Sequence, residues 1–234
     1  MSIRSKGGCK YCGKEYTKAA MMKHLTTCAE RKASWEPSAS GEKQAGYFSL
    51  AIEGTYLKDY WLMIEIRGDA TLKNLDQFLR DIWLECCGHL SDFRIDGVTY
   101  DVEPQESMGW GLPKKNMNCK LKSVLKIGMV FEHEYDFGST TELTIRVFDY
   151  REGGLHKDKI KIMARNKPIE RICDKCGEKV ATFVCSECLY DGSGFLCDDC
   201  GKEHECGEEM LMRICNSPRF GVCGYEGSTK YSDY

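Results

Sequence analysis

The sequence predicts an α+β fold: a mixed or largely antiparallel sheet with one main helix, flanked at both ends by small cysteine-rich modules. Three observations carry this. Strand-period alternation broken by turn signals runs through the middle of the chain, a single long stretch has helical periodicity, and the 15 cysteines crowd toward the two ends.

The elements follow in order. Phe48, Leu50 and Ile52 alternate with small or polar residues, and Leu62, Ile64 and Ile66 repeat the pattern, as half-buried strands require. Gly68 closes the second strand. Thr71 then caps a helix whose apolar positions Leu72, Leu75, Phe78, Leu79, Ile82, Trp83 and Cys86 recur every three or four residues, with Gly88 ending it. Helices are expected on one side of the sheet. His89 to Ile95 and Val98 to Tyr100 form a strand pair turning at Asp96-Gly97, a dipeptide suited to positive φ. Residues 102 to 118 read as a long loop, and its Trp110 is the best candidate for an exposed binding aromatic. A short helix is expected over Lys120 to Leu125. Phe131, His133, Tyr135 and Phe137 then share one strand face while Glu132, Glu134 and Asp136 share the other, and Leu143, Ile145 and Val147 are the inward set of a long returning strand.

Composition bounds the function. The chain has 234 residues, 42% hydrophobic and 29% charged, enough to bury a core. No apolar run reaches the roughly 18 to 20 residues that cross a bilayer, and the first 14 residues lack the apolar centre of a signal peptide, so a cytoplasmic protein is expected. Residues 1–32 hold eight basic against two acidic residues (+6), residues 33–165 are −4 and residues 166–234 are −5. Strong general affinity for nucleic acid is therefore not expected.

The cysteines supply the chemistry. Cys9-x2-Cys12-x11-His24-x3-Cys28 sets two thiols on a knuckle and the other two ligands one helical turn apart, which lets all four converge on tetrahedral zinc. Tyr16 and Met21 or Met22 provide its few core side chains. Toward the other end Cys173-x2-Cys176, Cys185-x2-Cys188 and Cys197-x2-Cys200 begin at intervals of twelve, followed by His204, Cys206, Cys215 and Cys223. This supply suits two more ions, giving about three structural zinc ions in all. A cross-brace is favoured, with the first and third pairs on one ion and the second pair joining His204 and Cys206. Sequential pairing is the alternative. Cys223 is an alternative ligand to Cys206, and Cys215 is a spare thiol. Residues 1–32 are thus read as a ββα-like Cys3His finger, 33–45 as a linker, 46–165 as the α+β domain and 166–234 as a double-zinc module.

The Tyr60 to Ile66 strand, the amphipathic helix, His89-Leu90 leading to Phe93, and above all Tyr135-Asp136-Phe137-Gly138 after Gly-Met-Val-Phe give the middle domain its resemblance. It resembles the plasmid Ri open-reading-frame-three-like family, which includes transposon passenger proteins, over about residues 46–165. The Asn216-Ser217-Pro218-Arg219 and Gly221-Val222-Cys223-Gly224-Tyr225 stretches look like the tail of its zinc-containing branch. The resemblance implies the α+β fold and confers no enzymatic activity.

No catalytic residue is assigned. His133 and His89 read as packed or capping histidines, Cys86 and Cys87 as packed at a helix end, and the deaminase, phosphate-loop, dinucleotide and nucleophile-elbow signatures are missing. The expectation is a noncatalytic zinc-binding adaptor or regulator with a protein partner. Nucleic-acid contact through Lys14, Lys18 and Lys23 is the alternative, and an enzyme built around His89, His133 or Tyr135 is a third reading.

Overall fold

The computed structural model describes residues 5–35, 43–102 and 114–232. The chain divides into two compact units, Met1–Phe78 with Leu90–Lys167, and Leu79–His89 with Pro168–Tyr234. The architecture is α+β, a large mixed sheet with few helices, and cysteine-rich clusters.

The first unit is built on a ten-stranded sheet. Its strands are β1 (Lys6–Cys9), β2 (Glu15–Thr17), β3 (Gln44–Gly54), β4 (Trp61–Arg67), β5 (Ser91–Ile95), β6 (Val98–Asp101), β7 (Lys114–Asn116), β8 (Val130–Tyr135), β9 (Thr141–Gly154) and β10 (Ile160–Asn166). They lie in the order β2-β1-β10-β4-β3-β9-β8-β5-β6-β7. Among the described pairings only β6–β7 is parallel. The β5–β6 hairpin turns at Asp96 and Gly97, with φ of 48° and 74°, the left-handed pair that this dipeptide favours. β7 falls inside the stretch expected to be a loop, while Trp110 lies outside the described residues.

Cross-strand partners sort the side chains by face. Leu50 opposes Ile64 and Val147, Ile52 opposes Leu62 and Ile145, and His133 opposes Leu143 and Phe93, so these residues line one face, all of them buried. Helix α3 (Leu72–Leu79) covers that face, joined to it by a hydrogen bond between Asp76 Oδ1 and His133 Nε2 at 2.8 Å. Alternation sends Trp61, Met63 and Glu65 to the opposite face, and all three are buried too. There they meet α1 (Lys18–Thr27) and α2 (Ala29–Ala33), with Met21, Leu25 and Met163 completing a second core.

Five expectations are corrected here. Helices lie on both faces of the sheet, and β4 is a fully buried strand instead of a half-buried one, because the N-terminal segment packs where solvent was expected. The long helix does not run unbroken from Thr71 to Cys86: α3 gives way to a π-helical turn, Arg80–Leu84, just after the division between the units at Phe78 and Leu79. The helix over Lys120 to Leu125 is a 3-10 turn, Leu121–Ser123. Phe137 leaves the Phe131 face, since β8 ends at Tyr135 and Asp136 takes φ of 65°. Asp136 is buried, its Oδ1 accepting from the amides of Gly138 and Ser139 at 3.1 and 3.3 Å, while Phe137 turns out to solvent.

Residues 1–32 do not stand apart as a module of their own: β1 pairs with β2 on one side and β10 on the other, so the first cysteine knuckle is part of the sheet. Gly7 permits this. A Cβ there would stand 2.0 Å from the Arg165 carbonyl oxygen and 2.7 Å from the Trp61 ring, so only a glycine lets the two backbones approach. Of the expected linker, Ala33 ends α2 and Gln44 already opens β3; residues 36–42 lie outside the described part.

The second unit holds a small sheet, β11 (Phe183–Cys185), β12 (Phe195–Leu196) and β13 (Leu211–Arg213), in the order β12-β11-β13, with α4 (Asp198–Lys202). Its apolar interior is small: Cys173, Leu196 and Cys197 with Cys200 and Leu211 against them. The Leu79–His89 segment contributes Trp83, whose Nε1 donates to the Asn216 carbonyl at 3.0 Å and whose own carbonyl accepts from Ser217 Oγ at 2.7 Å.

Candidate metal centres

The described residues contain four groups of cysteine and histidine side chains whose ligand atoms all lie within 4.8 Å of one another: Cys9, Cys12, His24 and Cys28; Cys173, Cys176, Cys197 and Cys200; Cys185, Cys188, His204 and Cys206; and Cys86, Cys87, His89 and Cys223. All 15 cysteines are thiols. Each group has soft sulfur donors, joined in all but the Cys173 group by one imidazole, a set that suits a tetrahedral ion.

The first group forms because β1 ends at Cys9 and reverses at once. The Gly13 amide donates to the Cys9 carbonyl at 2.8 Å, and the Cys9 amide to the Lys14 carbonyl at 2.9 Å, which turns Cys12 back beside Cys9. α1 supplies His24, and Cys28 follows its last turn with its amide on the His24 carbonyl at 2.8 Å. Cys12 Sγ lies 3.2 Å from His24 Nε2. Tyr16 stacks on the imidazole with ring centroids 4.5 Å apart, fixing its plane. Burial and Lys14 hold the His24 pKa below its ordinary value, favouring the neutral, ligating ring. Burial pushes the Cys28 thiol up to about 11, with Glu30 and Cys9 adding to the effect, and a bound cation reverses that balance. Met21 is the buried core side chain, and Tyr16 and Met22 pack at its edge.

The two groups of the second unit interleave. Cys173 and Cys176 sit on a knuckle closed by the Gly177 amide on the Cys173 carbonyl at 2.8 Å. Asp174 ties this knuckle to β12 twice: its amide donates to the Phe195 carbonyl at 2.7 Å, and its Oδ2 accepts from the Phe195 amide at 2.8 Å. β12 runs straight into Cys197, at the N-terminus of α4, and α4 carries Cys200. The neighbouring β11 ends on Cys185, and the turn after it brings Cys188 to 3.5 Å from His204 Nε2 and 3.7 Å from Cys206 Sγ. Adjacent strands therefore deliver alternate cysteine pairs to different groups. The first pair meets the third, not the second, and Cys206, not Cys223, stands with His204. Cys215 is buried and belongs to none of the four groups.

Thiols this close cannot all ionise unaided. Against the upward push of burial, backbone amides of Cys176, Cys197 and Lys175 hold Cys173 down at about 6. Burial and its sulfur neighbours push Cys200 up to about 12. In the other group burial opposes, and the Cys188 amide and His204 favour, a Cys185 thiolate near 7, while hydrogen bonding to Cys185 and then burial push Cys188 up to about 12. Each group thus has one thiolate ready to take an ion and others whose protons the ion must displace.

The fourth group lies outside the ligand sets that Cys-x-x-Cys spacing predicts. Cys86 and Cys87 are not packed at a helix end, and His89 is not a simple cap: Cys86 and His89 are half-buried, and Cys87 and Cys223 are exposed. Two thiols and an imidazole within the four residues Cys86-Cys87-Gly88-His89 are a legible signal. Cys223, 134 residues beyond His89, is not.

The remaining candidates lie apart from these groups. His133 is fully buried, bonded to Asp76, packed on Phe93 with ring centroids 4.6 Å apart, and its Nδ1 has no hydrogen-bond partner. Tyr135 is fully buried. Lys14 and Lys23 are exposed, whereas Lys18 is half-buried and paired with Glu53. No helix among the described residues is long and apolar enough to cross a membrane.

No family model matches this chain, and no curated protein does. Among solved structures it is similar to a protein of unknown function from Methanosarcina mazei Go1, with 14% identity, a TM-score of 0.45, and 57% of this chain and 75% of that chain covered.

Proposed function

We propose that the chain is a noncatalytic zinc-binding adaptor or regulator, in which structural zinc at the Cys9, Cys173 and Cys185 groups fixes the surfaces around an α+β recognition domain. The observation that carries this reading is closure. Each group sets four protein donors around one point, leaving no open position for substrate or water, as structural zinc sites do and catalytic ones do not. The segments concerned have little apolar interior of their own, so binding on the order of 10 kcal/mol per ion would fold them. The dry packing of His133 and Tyr135 also favours a binding role over an enzymatic one. Membership of the plasmid Ri open-reading-frame-three-like family is proposed with it, on the Tyr135-Asp136-Phe137-Gly138 turn.

Zinc analysis of the purified, reduced chain tests the reading: at least three ions are expected, with loss of structure on chelation, and one ion or none overturns it. Capture of a protein by the zinc-loaded chain and not by the chelated chain identifies the adaptor role. The exposure of Lys14 and Lys23 favours nucleic-acid contact as the second reading. Binding to duplex DNA that weakens steeply with salt, and is lost when both lysines are changed to glutamate, selects it.

A further inference from the structure

We infer that Cys86, Cys87, His89 and Cys223 form a fourth zinc site, an exposed and exchangeable clasp that fastens the Cys223 turn to the Cys86–His89 loop. It uses none of the residues on which the reading above rests.

The distances are those of a coordination shell. Cys87 Sγ lies 3.6 Å from Cys86 Sγ and 3.7 Å from Cys223 Sγ, close to the edge of about 3.8 Å that Zn–S bonds of about 2.3 Å set in a tetrahedron. His89 Nε2 lies 3.0 Å from Cys87 Sγ and 3.3 Å from Cys223 Sγ, somewhat inside the corresponding sulfur–nitrogen edge. A set of three thiols and one imidazole selects a soft, tetrahedral divalent cation, and zinc is the available one without redox chemistry.

The surroundings are built for such a site. Gly88, at φ of 81°, turns the chain so that Cys87 and His89 converge, and its amide is held by Glu85 Oε1 at 2.6 Å. The His89 carbonyl accepts from Arg80 Nη2 at 2.7 Å, which fixes the backbone carrying the imidazole. On the other side Cys223 takes φ of 51°, a left-handed conformation that a cysteine adopts only when its surroundings impose it. The buried Arg219 places Nη2 3.4 Å from Cys86 Sγ. Three thiolates and one Zn²⁺ leave a net charge of −1, and this guanidinium balances it as an outer-shell partner.

Exposure separates this group from the other three. Each of those has at least one buried cysteine and at most one exposed ligand, whereas here two of four ligands are exposed and none is buried. Ligands open to water exchange their ion with competing chelators sooner, so this ion leaves first.

The test is staged zinc release from the full-length, reduced protein to a chromophoric chelator, with cobalt(II) substitution as the second readout. The expected result is four equivalents, about one of them fast. Cys223→Ser abolishes the fast equivalent and keeps the three slow ones. His89→Cys retains four ions and moves the cobalt ligand-field bands toward an all-sulfur shell. The inference is overturned if Cys223→Ser releases zinc as the parent does, or if the His89→Cys spectrum is unchanged. Should Cys223→Ser fail to fold, the His89→Cys spectrum decides alone. Loss of slow equivalents in the parent would instead count against the three closed sites, so the two failures are distinct.

Discussion

Arg31 lies fully buried with Nη2 3.2 Å from Glu65 Oε2, and through that contact the helix following Cys28 is pinned to β4. Arg151 holds the same carboxylate through Nε at 2.8 Å and a second bond from Nη2, and both guanidinium groups lie over the Trp35 ring, 4.7 and 4.8 Å from its centroid. Arg31 also donates to the Leu25 carbonyl at 2.7 Å and Ser49 Oγ at 2.8 Å. Glu65 is the shared anion between two buried cations. Removing it leaves Arg151 without its carboxylate and Arg31 with only the partly exposed Asp149, whose Oδ2 lies 3.3 Å from Nη1, and breaking a buried pair costs about 3–5 kcal/mol. Glu65→Gln is expected to lower the unfolding free energy of the first unit by that amount in urea denaturation. A loss below about 1 kcal/mol, the range of an exposed pair, would show that the cluster is not dry.

Gly7 is the steric condition for joining β1 to the sheet, so Gly7→Ala should part β1 from β10. The added methyl group meets backbone, which cannot swing aside, and the expected cost is in the overpacking range of about 1–3 kcal/mol. Hydrogen exchange reports it directly. The Lys167 amide, bonded to the Lys6 carbonyl, and the Lys10 amide, bonded to the Met163 carbonyl, should lose protection while the β3–β4 ladder keeps it.

These two contacts mark where the sequence stops being readable. The Asp96-Gly97 turn and the alternation of Phe131, His133 and Tyr135 are local and could be found from residue order alone. Docking of β1 could not: Lys6-Gly7-Gly8-Cys9 has no apolar period, and its effect on β4 is to bury Trp61, Met63 and Glu65 on a face expected to be solvated. The break at Arg80 is similarly invisible, because Ile82 and Trp83 continue the helical period of Leu72 and Leu75 while the backbone shifts to a wider turn. Cys-x-x-Cys spacing revealed the ligand types at both ends. The pairing of Cys87 with Cys223 depends on a contact across 136 positions that no local pattern encodes.

The thiol pKa values fix a pH dependence for zinc uptake. Cys173 at about 6 and Cys185 at about 7 lie below the ordinary value of 9.0, so the stability they lend the metal-free second unit is present above that ordinary value and is lost as pH falls through 7 and then 6. Cys188 and Cys200 are shifted the other way, and keep their protons until an ion displaces them. Zinc affinity should therefore rise with pH, most steeply below about 6, where both anchoring thiols still carry a proton the ion must displace, and less steeply above about 7, where only their neighbours release protons. Competition with a chelator of known affinity across this range checks it. A flat profile would mean that the groups do not bind through thiolate.

Interleaving makes a prediction that ion counting alone can decide. Cys173 stands with Cys200 in one group and Cys188 with His204 in another, although Cys173 and Cys188 are closer in sequence. Losing two ligands from one tetrahedral site removes one ion, whereas losing one ligand from each of two sites weakens both. Cys173→Ser with Cys200→Ser should therefore cost about one zinc equivalent, and Cys173→Ser with Cys188→Ser about two, as the structural contribution of each ion fails with its shell. Sequential pairing reverses the outcome, because Cys173 would then share an ion with Cys188, and Cys200 would lie in the other site. Thermal melting should follow the same order. The interleaved ions hold β11 and β12 from opposite ends, so the pair of changes that empties both sites should unfold the second unit at room temperature, while the pair that empties one should leave the Cys185, Cys188, His204 and Cys206 shell able to bind.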